Sequence, residues 1–138
     1  LLQDIGMAMV PEKILNSPRK LTPTEMVDVQ KHTAYGLYLL EKIRGIPLAV
    51  RLVMYQSHER ADGTGYPRRR EAEQIHRYAQ IVGVADVYDA LTSDRPWRKA
   101  YHPCSAMEML VRDANKGKYD PTIIRGLLKY LSLYPVGC

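Results

Sequence analysis

An all-α fold is predicted by three observations. Apolar residues recur at helical spacing through most of the chain, helix-start signals precede several of these segments, and Pro and Gly separate them. The length, 138 residues, suits one domain. Apolar residues make up 46% and charged residues 25%, which excludes a disordered tail or a low-complexity linker.

Met7 to Lys20 holds Pro11, Asn16, Ser17 and Pro18 and reads as a loop with at most a short helical turn. A clear helix start follows. Thr22 is a suitable N-cap, Pro23 fits the first helical position, and Glu25 completes a capping box. Met26, Val29, Leu40 and Ile43 keep helical spacing up to Gly45 and Pro47. Leu48 to Tyr55 reads as a second, largely buried helix. Asp62 to Pro67 (DGTGYP) must be a loop, because two glycines and a proline in six residues do not fit inside a helix. From about Glu73 to Leu91 an apolar segment carries Ile75, Ala79, Val82 and Ala90 on one face; its β-branched residues allow a buried strand for part of it, its length and spacing favour a long helix, and Ser93 to Pro96 break it. Pro103 to Asn115 is amphipathic, with Gly117 as its stop. Asp120-Pro121 caps a last helix bearing Ile123, Ile124, Leu127, Leu128 and Leu131.

Several function classes are excluded or weakened by composition. No apolar run approaches ~18 residues, so no membrane span is expected. Nothing at the N-terminus resembles a signal peptide. Two cysteines, Cys104 and Cys138, are too few for a disulfide scaffold, which points to a reducing, cytoplasmic setting. The net charge of +5 suits an anionic partner or simply a solvated surface. No recognition helix or aromatic-interleaved basic stripe argues for nucleic acid. The apolar opening, Leu1-Leu2, reads as the end of a helix belonging to a longer protein.

The informative residues are polar ones on apolar faces. Asp86 and Asp89, three apart on the long helix, share its core face, where a carboxylate needs a hydrogen bond, an ion pair or a metal. An arginine partner is the structural alternative. His32 also falls on an inward face, and by itself reads as a hydrogen-bonded core histidine. Asp4 and His58 lie at separate points of the chain. Together Asp4, His32, His58 and Asp86 have the character of metal ligands gathered from several helices, although their spacing matches no compact zinc motif.

The order of motifs then becomes specific. Gln3-Asp4-Ile5-Gly6 precedes Lys31-His32, followed by Ser57-His58-Glu59-Arg60, the DGTGYP loop, and Val84 to Pro96 (VADVYDALTSDRP). This series resembles the HD-GYP branch of the HD-domain phosphohydrolases, from Leu1 to about Leu128. The resemblance implies an HD-domain helical bundle over 1–138 that lacks its N-terminal helices, with an upstream sensor or receiver domain beyond this chain. It implies bacterial cyclic di-GMP signalling, with hydrolysis by active members at an iron or manganese centre of the di-metal type. Metal ligands would be Asp4, His32, His58 and Asp86. Asp4 and Asp89 would be catalytic, and Arg95, Arg98 and Tyr66 would bind the substrate. It also implies a diguanylate cyclase domain as a partner for the GYP loop, beside which Arg68, Arg69 and Arg70 stand.

Three departures stand out. Gln3 replaces the signature His, Met7 replaces a phosphate-binding Lys, and Ser57 replaces the first of two histidines. An amide oxygen and a hydroxyl are feeble ligands beside imidazole. Loss of the Lys removes a charge that opposes developing negative charge, typically worth roughly a few kcal/mol. Reduced or absent metal is therefore expected, and the domain is expected to act as a regulatory or binding module for cyclic di-GMP or a related nucleotide. The alternative is an active phosphodiesterase with a reduced metal site.

Overall fold

The computed structural model describes residues 2–132, so Cys138 lies outside the described residues. Among these residues there is no β-strand, only two isolated bridges, Asp62 with Glu71 and Arg95 with Arg98. The fold is all-α, in agreement with the sequence reading. A 3-10 turn at Ile5–Met9 precedes helices α1 (Glu12–Leu15), α2 (Pro23–Gln30), α3 (His32–Glu41), α4 (Leu48–Gln56), α5 (Arg77–Thr92), α6 (Pro103–Asn115) and α7 (Pro121–Ser132). A second 3-10 turn occupies Ala72–Gln74.

The helices pack in chain order. The first 3-10 turn and α4 both lie against α3, α5 follows α4, and α6 and α7 close on α5. The core of this last group is Val84 of α5, Met107, Leu110 and Ala114 of α6, Tyr119, and Ile123 and Ile124 of α7. The other half is built around Leu40 and Met54, both almost fully buried. Gly36 lets α3 approach the Met54 side chain, since a Cβ there would lie 2.7 Å from its sulfur.

Local chemistry explains most boundaries. Thr22 and Glu25 form the expected capping box, with Pro23 in the first turn. Glu25 also pairs with Arg19 at 2.9 Å. The Arg19 guanidinium, then the Thr22 amide and hydroxyl, hold the Glu25 carboxyl at about 2. A depressed carboxylate stabilises the fold above its unfolded value near 4.5, and that stabilisation fades as pH falls through about 2. Urea unfolding of the wild type and Glu25→Ala should therefore differ most above pH 4.5 and converge near pH 2. A gap that persists at pH 2 would contradict this. At α7, Asp120 accepts the Thr122 amide at 2.7 Å, so the predicted cap is present.

Two elements differ from expectation. The single helix expected from Pro23 to Gly45 breaks at Lys31. There the His32 ring nitrogen Nδ1 bonds the Val29 carbonyl at 2.7 Å and the Thr33 hydroxyl donates to the Gln30 carbonyl at 3.1 Å. Side chains take carbonyls that a continuous helix would use. The stripe is correspondingly incomplete, since Leu40 is buried whereas Met26 and Ile43 are exposed. The long helix expected from Glu73 starts at Arg77, because Ile75 is extended and the His76 side chain caps the Tyr78 amide.

A candidate metal centre between the helices

Four segments converge at the junction of α3, α4 and α5. Asp4 precedes the first 3-10 turn, His32 opens α3, His58 follows the end of α4, and Asp86 lies within α5. Close backbone packing sets their spacing. A Cβ on Gly6 would lie 1.9 Å from the His32 carbonyl oxygen, and one on Gly83 would lie 2.2 Å from the Ser57 carbonyl oxygen. Only glycine allows these approaches.

Asp4, His32 and His58 each present a ligand atom, all within 4.8 Å of one another. The His32 Nδ1 contact to the Val29 carbonyl requires its proton on Nδ1, which leaves the Nε2 lone pair facing the site. His32 Nε2 lies 3.7 Å from Asp4 Oδ1, beyond hydrogen-bonding reach. Nε2 atoms of both histidines are buried without a partner. The two rings meet edge-on with centroids 4.9 Å apart. Burial first, then His32 and the Arg60 cation, push His58 down to about 3. A neutral His58 carries one N–H and keeps the lone pair of its other ring nitrogen available to a metal. Its neutrality also means that its 3.8 Å approach to Asp86 is not an ion pair. Two orphaned imidazole nitrogens beside a carboxylate suit a first-row transition metal, and this set could hold one.

Asp86 stands next to this trio. Burial, then the charge of Asp4, raises its pKa, while Arg60 and Arg95 oppose the rise and Asp89 adds to it. The Gln3 amide donates to Asp86 Oδ1 at 2.9 Å, so Gln3 does reach the centre, but with an N–H and not a lone pair. Ser57 is fully buried, and its hydroxyl donates to the Met54 carbonyl at 3.1 Å, away from ligand duty. Asp89 is exposed, and its charge adds to the rise at Asp86. Met7 lies half-buried in the first 3-10 turn.

The GYP loop forms one wall. The Tyr66 ring stacks on His58 at 4.9 Å and 11°, and its amide donates to the His58 carbonyl at 3.2 Å. Burial pushes the Tyr66 hydroxyl up to about 12 despite the opposing Arg60 cation. Asp62 accepts from the Thr64 amide and hydroxyl at 3.0 and 2.6 Å, which turns the loop. Glu59, given no separate role by the sequence reading, anchors its far end. Only 4% exposed, it accepts the Arg68 and Arg70 amides at 2.7 and 2.9 Å. A carboxylate placed just before a glycine-rich loop was the available signal. Arg60, also passed over, supplies the positive charge felt by His58, Tyr66 and Asp86.

The two arginines expected to meet phosphate differ. Arg95 is exposed and its charge reaches Asp86. The Arg98 guanidinium is engaged with backbone carbonyls, donating to Ala90 at 2.7 Å, Leu91 at 3.2 Å and Lys99 at 2.7 Å.

Asp4, His32 and His58 come from three separate segments and meet in the seam of an α-bundle, where they form a candidate metal site. Residues 1–123 match the HD domain family. The chain belongs to that family. It is 42% identical over 137 residues to a cyclic di-GMP phosphodiesterase of Pseudomonas aeruginosa, covering 99% of this chain and 33% of that protein. It is 38% identical over 130 residues to the cyclic di-GMP phosphodiesterase response regulator RpfG of Xanthomonas campestris pv. campestris, covering 93% and 34%. It is 36% identical over 135 residues to 3'3'-cGAMP-specific phosphodiesterase 3 of Vibrio cholerae, covering 98% and 29%. The chain thus spans about a third of the length of these relatives. No helix among the described residues is long and apolar enough to cross a membrane.

Proposed function

We propose that this chain is an HD-GYP-type domain of a cytoplasmic cyclic di-GMP signalling protein, with a weakened metal centre, acting as a nucleotide-binding or regulatory module. One observation carries this reading. The Gln3 amide hydrogen-bonds Asp86, so the carboxylate is compensated by an N–H donor where an imidazole and a metal would otherwise serve. Met7 adds no positive charge for a phosphate. In this proposal Asp4, His32, His58 and Asp86 hold iron or manganese at reduced occupancy. Arg95 and Tyr66 face the nucleotide, and Asp89 acts from the rim. A bound metal would supply a Lewis acid for the phosphate and an acidified water. An upstream sensor or receiver domain belongs to the same proposal. So does a diguanylate cyclase contact at the exposed Arg68 and Arg69, whose test is loss of that contact on charge reversal.

The second reading, an active phosphodiesterase with a reduced site, is favoured by the two unpartnered Nε2 atoms beside Asp4. Metal content and nucleotide hydrolysis separate the two. The full-length protein, incubated with iron or manganese, should retain less metal than protein and should bind cyclic di-GMP with little turnover. Brisk turnover would establish the second reading. Gln3→His should raise metal content several-fold, because it removes the N–H from Asp86 and adds a nitrogen ligand. An unchanged metal content would show that Gln3 is not what weakens the centre.

A further inference from the structure

Residues 93–102 connect α5 to α6 and carry Arg95. Their backbone is closed by reciprocal bonds, Arg95 amide to Arg98 carbonyl at 2.8 Å and Arg98 amide to Arg95 carbonyl at 3.1 Å, with Pro96 and Trp97 at the tip. The Asp94 carboxylate accepts the Ala100 amide at 2.8 Å, and the Tyr101 amide donates to the Leu91 carbonyl at 2.9 Å. Arg98 joins these layers. Its guanidinium donates to Ala90 and Leu91, carbonyls at the C-terminal end of α5, and also to Lys99. It lies 4.5 Å over the Tyr101 ring. Those carbonyls carry the negative end of the helix dipole and have no helical partner.

We propose that Arg98 is a positioning residue, whose planar fork fastens the Arg95–Arg98 turn to the end of α5 and so aims Arg95 at the bound anion. A guanidinium that already bridges carbonyls of α5 and of Lys99, just after the turn, is committed to the backbone. This departs from the expectation that both arginines grip phosphate. Arg95, three residues beyond the end of α5, has no side-chain anchor of comparable kind among the described residues. Its direction therefore follows the turn. The inference rests on the proposed nucleotide binding for its affinity half, and on the ligand-free structure for its other half.

Arg98→Lys keeps the charge and loses the fork. In the full-length protein without ligand, amide exchange at Arg95, Arg98 and Tyr101 should rise about tenfold while global stability changes little. Unchanged exchange would overturn the brace. In calorimetry with cyclic di-GMP, Arg98→Lys should weaken binding about fivefold in the wild-type background and not at all in an Arg95→Gln background, because coupled residues are not additive. An equal loss in both backgrounds would mean an independent phosphate contact or a general structural defect, and would overturn the positioning role. No binding by the wild type would overturn the proposed function and the affinity half with it, while the exchange result would still decide the brace.

Discussion

Gly65→Ala should lower stability by about 3 kcal/mol, or about 10 °C in melting temperature, toward the upper end for overpacking. A Cβ at this position would lie 2.4 Å from the Arg60 amide nitrogen, 2.5 Å from Glu59 Cα and 2.5 Å from the His58 carbonyl oxygen. All three are backbone atoms, so no rotamer change relieves the clash. The loop must move away from the end of α4. That breaks the hydrogen bond from the Tyr66 amide to the His58 carbonyl and lifts the Tyr66 ring from His58. Burial is the first cause of the low His58 pKa, so exposure should move it from about 3 toward its ordinary value near 6.5. Thermal melts and an NMR titration of the His58 ring read both effects. Gly126→Ala is the control, since a Cβ there meets nothing within 4 Å and Ala favours the helix. It should be neutral or stabilising. If Gly65→Ala melts with the control and leaves His58 unchanged, the loop does not seal the site as described.

Glu59→Ala should be comparably damaging, at about 3–5 kcal/mol, through the loss of two charge-assisted hydrogen bonds. Each carboxylate oxygen accepts a different loop amide, Arg68 on Oε1 and Arg70 on Oε2. Removing both acceptors leaves two N–H groups without their partner at a part-buried stretch of the loop. Glu59→Gln retains one acceptor and should lose roughly half as much. Chemical denaturation should rank wild type above Glu59→Gln above Glu59→Ala. Amide exchange at Arg68 and Arg70 should accelerate in the same order. Equal stability of the alanine variant and the wild type would remove Glu59 from this account.

The elements that the sequence made legible are those with local causes. Capping at Thr22, proline in the first turns of α2, α6 and α7, and the glycine-rich loop all depend on residues within one turn of each other. The break at Lys31 was hidden because it depends on which carbonyls His32 and Thr33 take, a choice made only when α3 packs. In the site, Asp4, His32 and His58 stood out as polar residues among apolar neighbours, and they do meet. Asp86 and Asp89 were read as one face, yet three residues on a helix leave an offset of ~60°. That offset is enough to half-bury one carboxylate and expose the other. Arg98 presents a related ambiguity. A cation in a loop after a helix can serve an anion or the helix end, and in the folded turn its guanidinium meets the Ala90 and Leu91 carbonyls at the end of α5.

The contact between Gly6 and the His32 carbonyl has an evolutionary consequence. Asp4 is located relative to His32 by main chain lying on main chain, with no side chain as spacer. Residues on either side of that contact, Gln3 and Met7 among them, can therefore be exchanged without moving the carboxylate. Chemistry in such a domain is separable from shape. On the proposed reading, a ligand or a phosphate-binding lysine can be lost, and restored by point substitution, with no refolding of the scaffold.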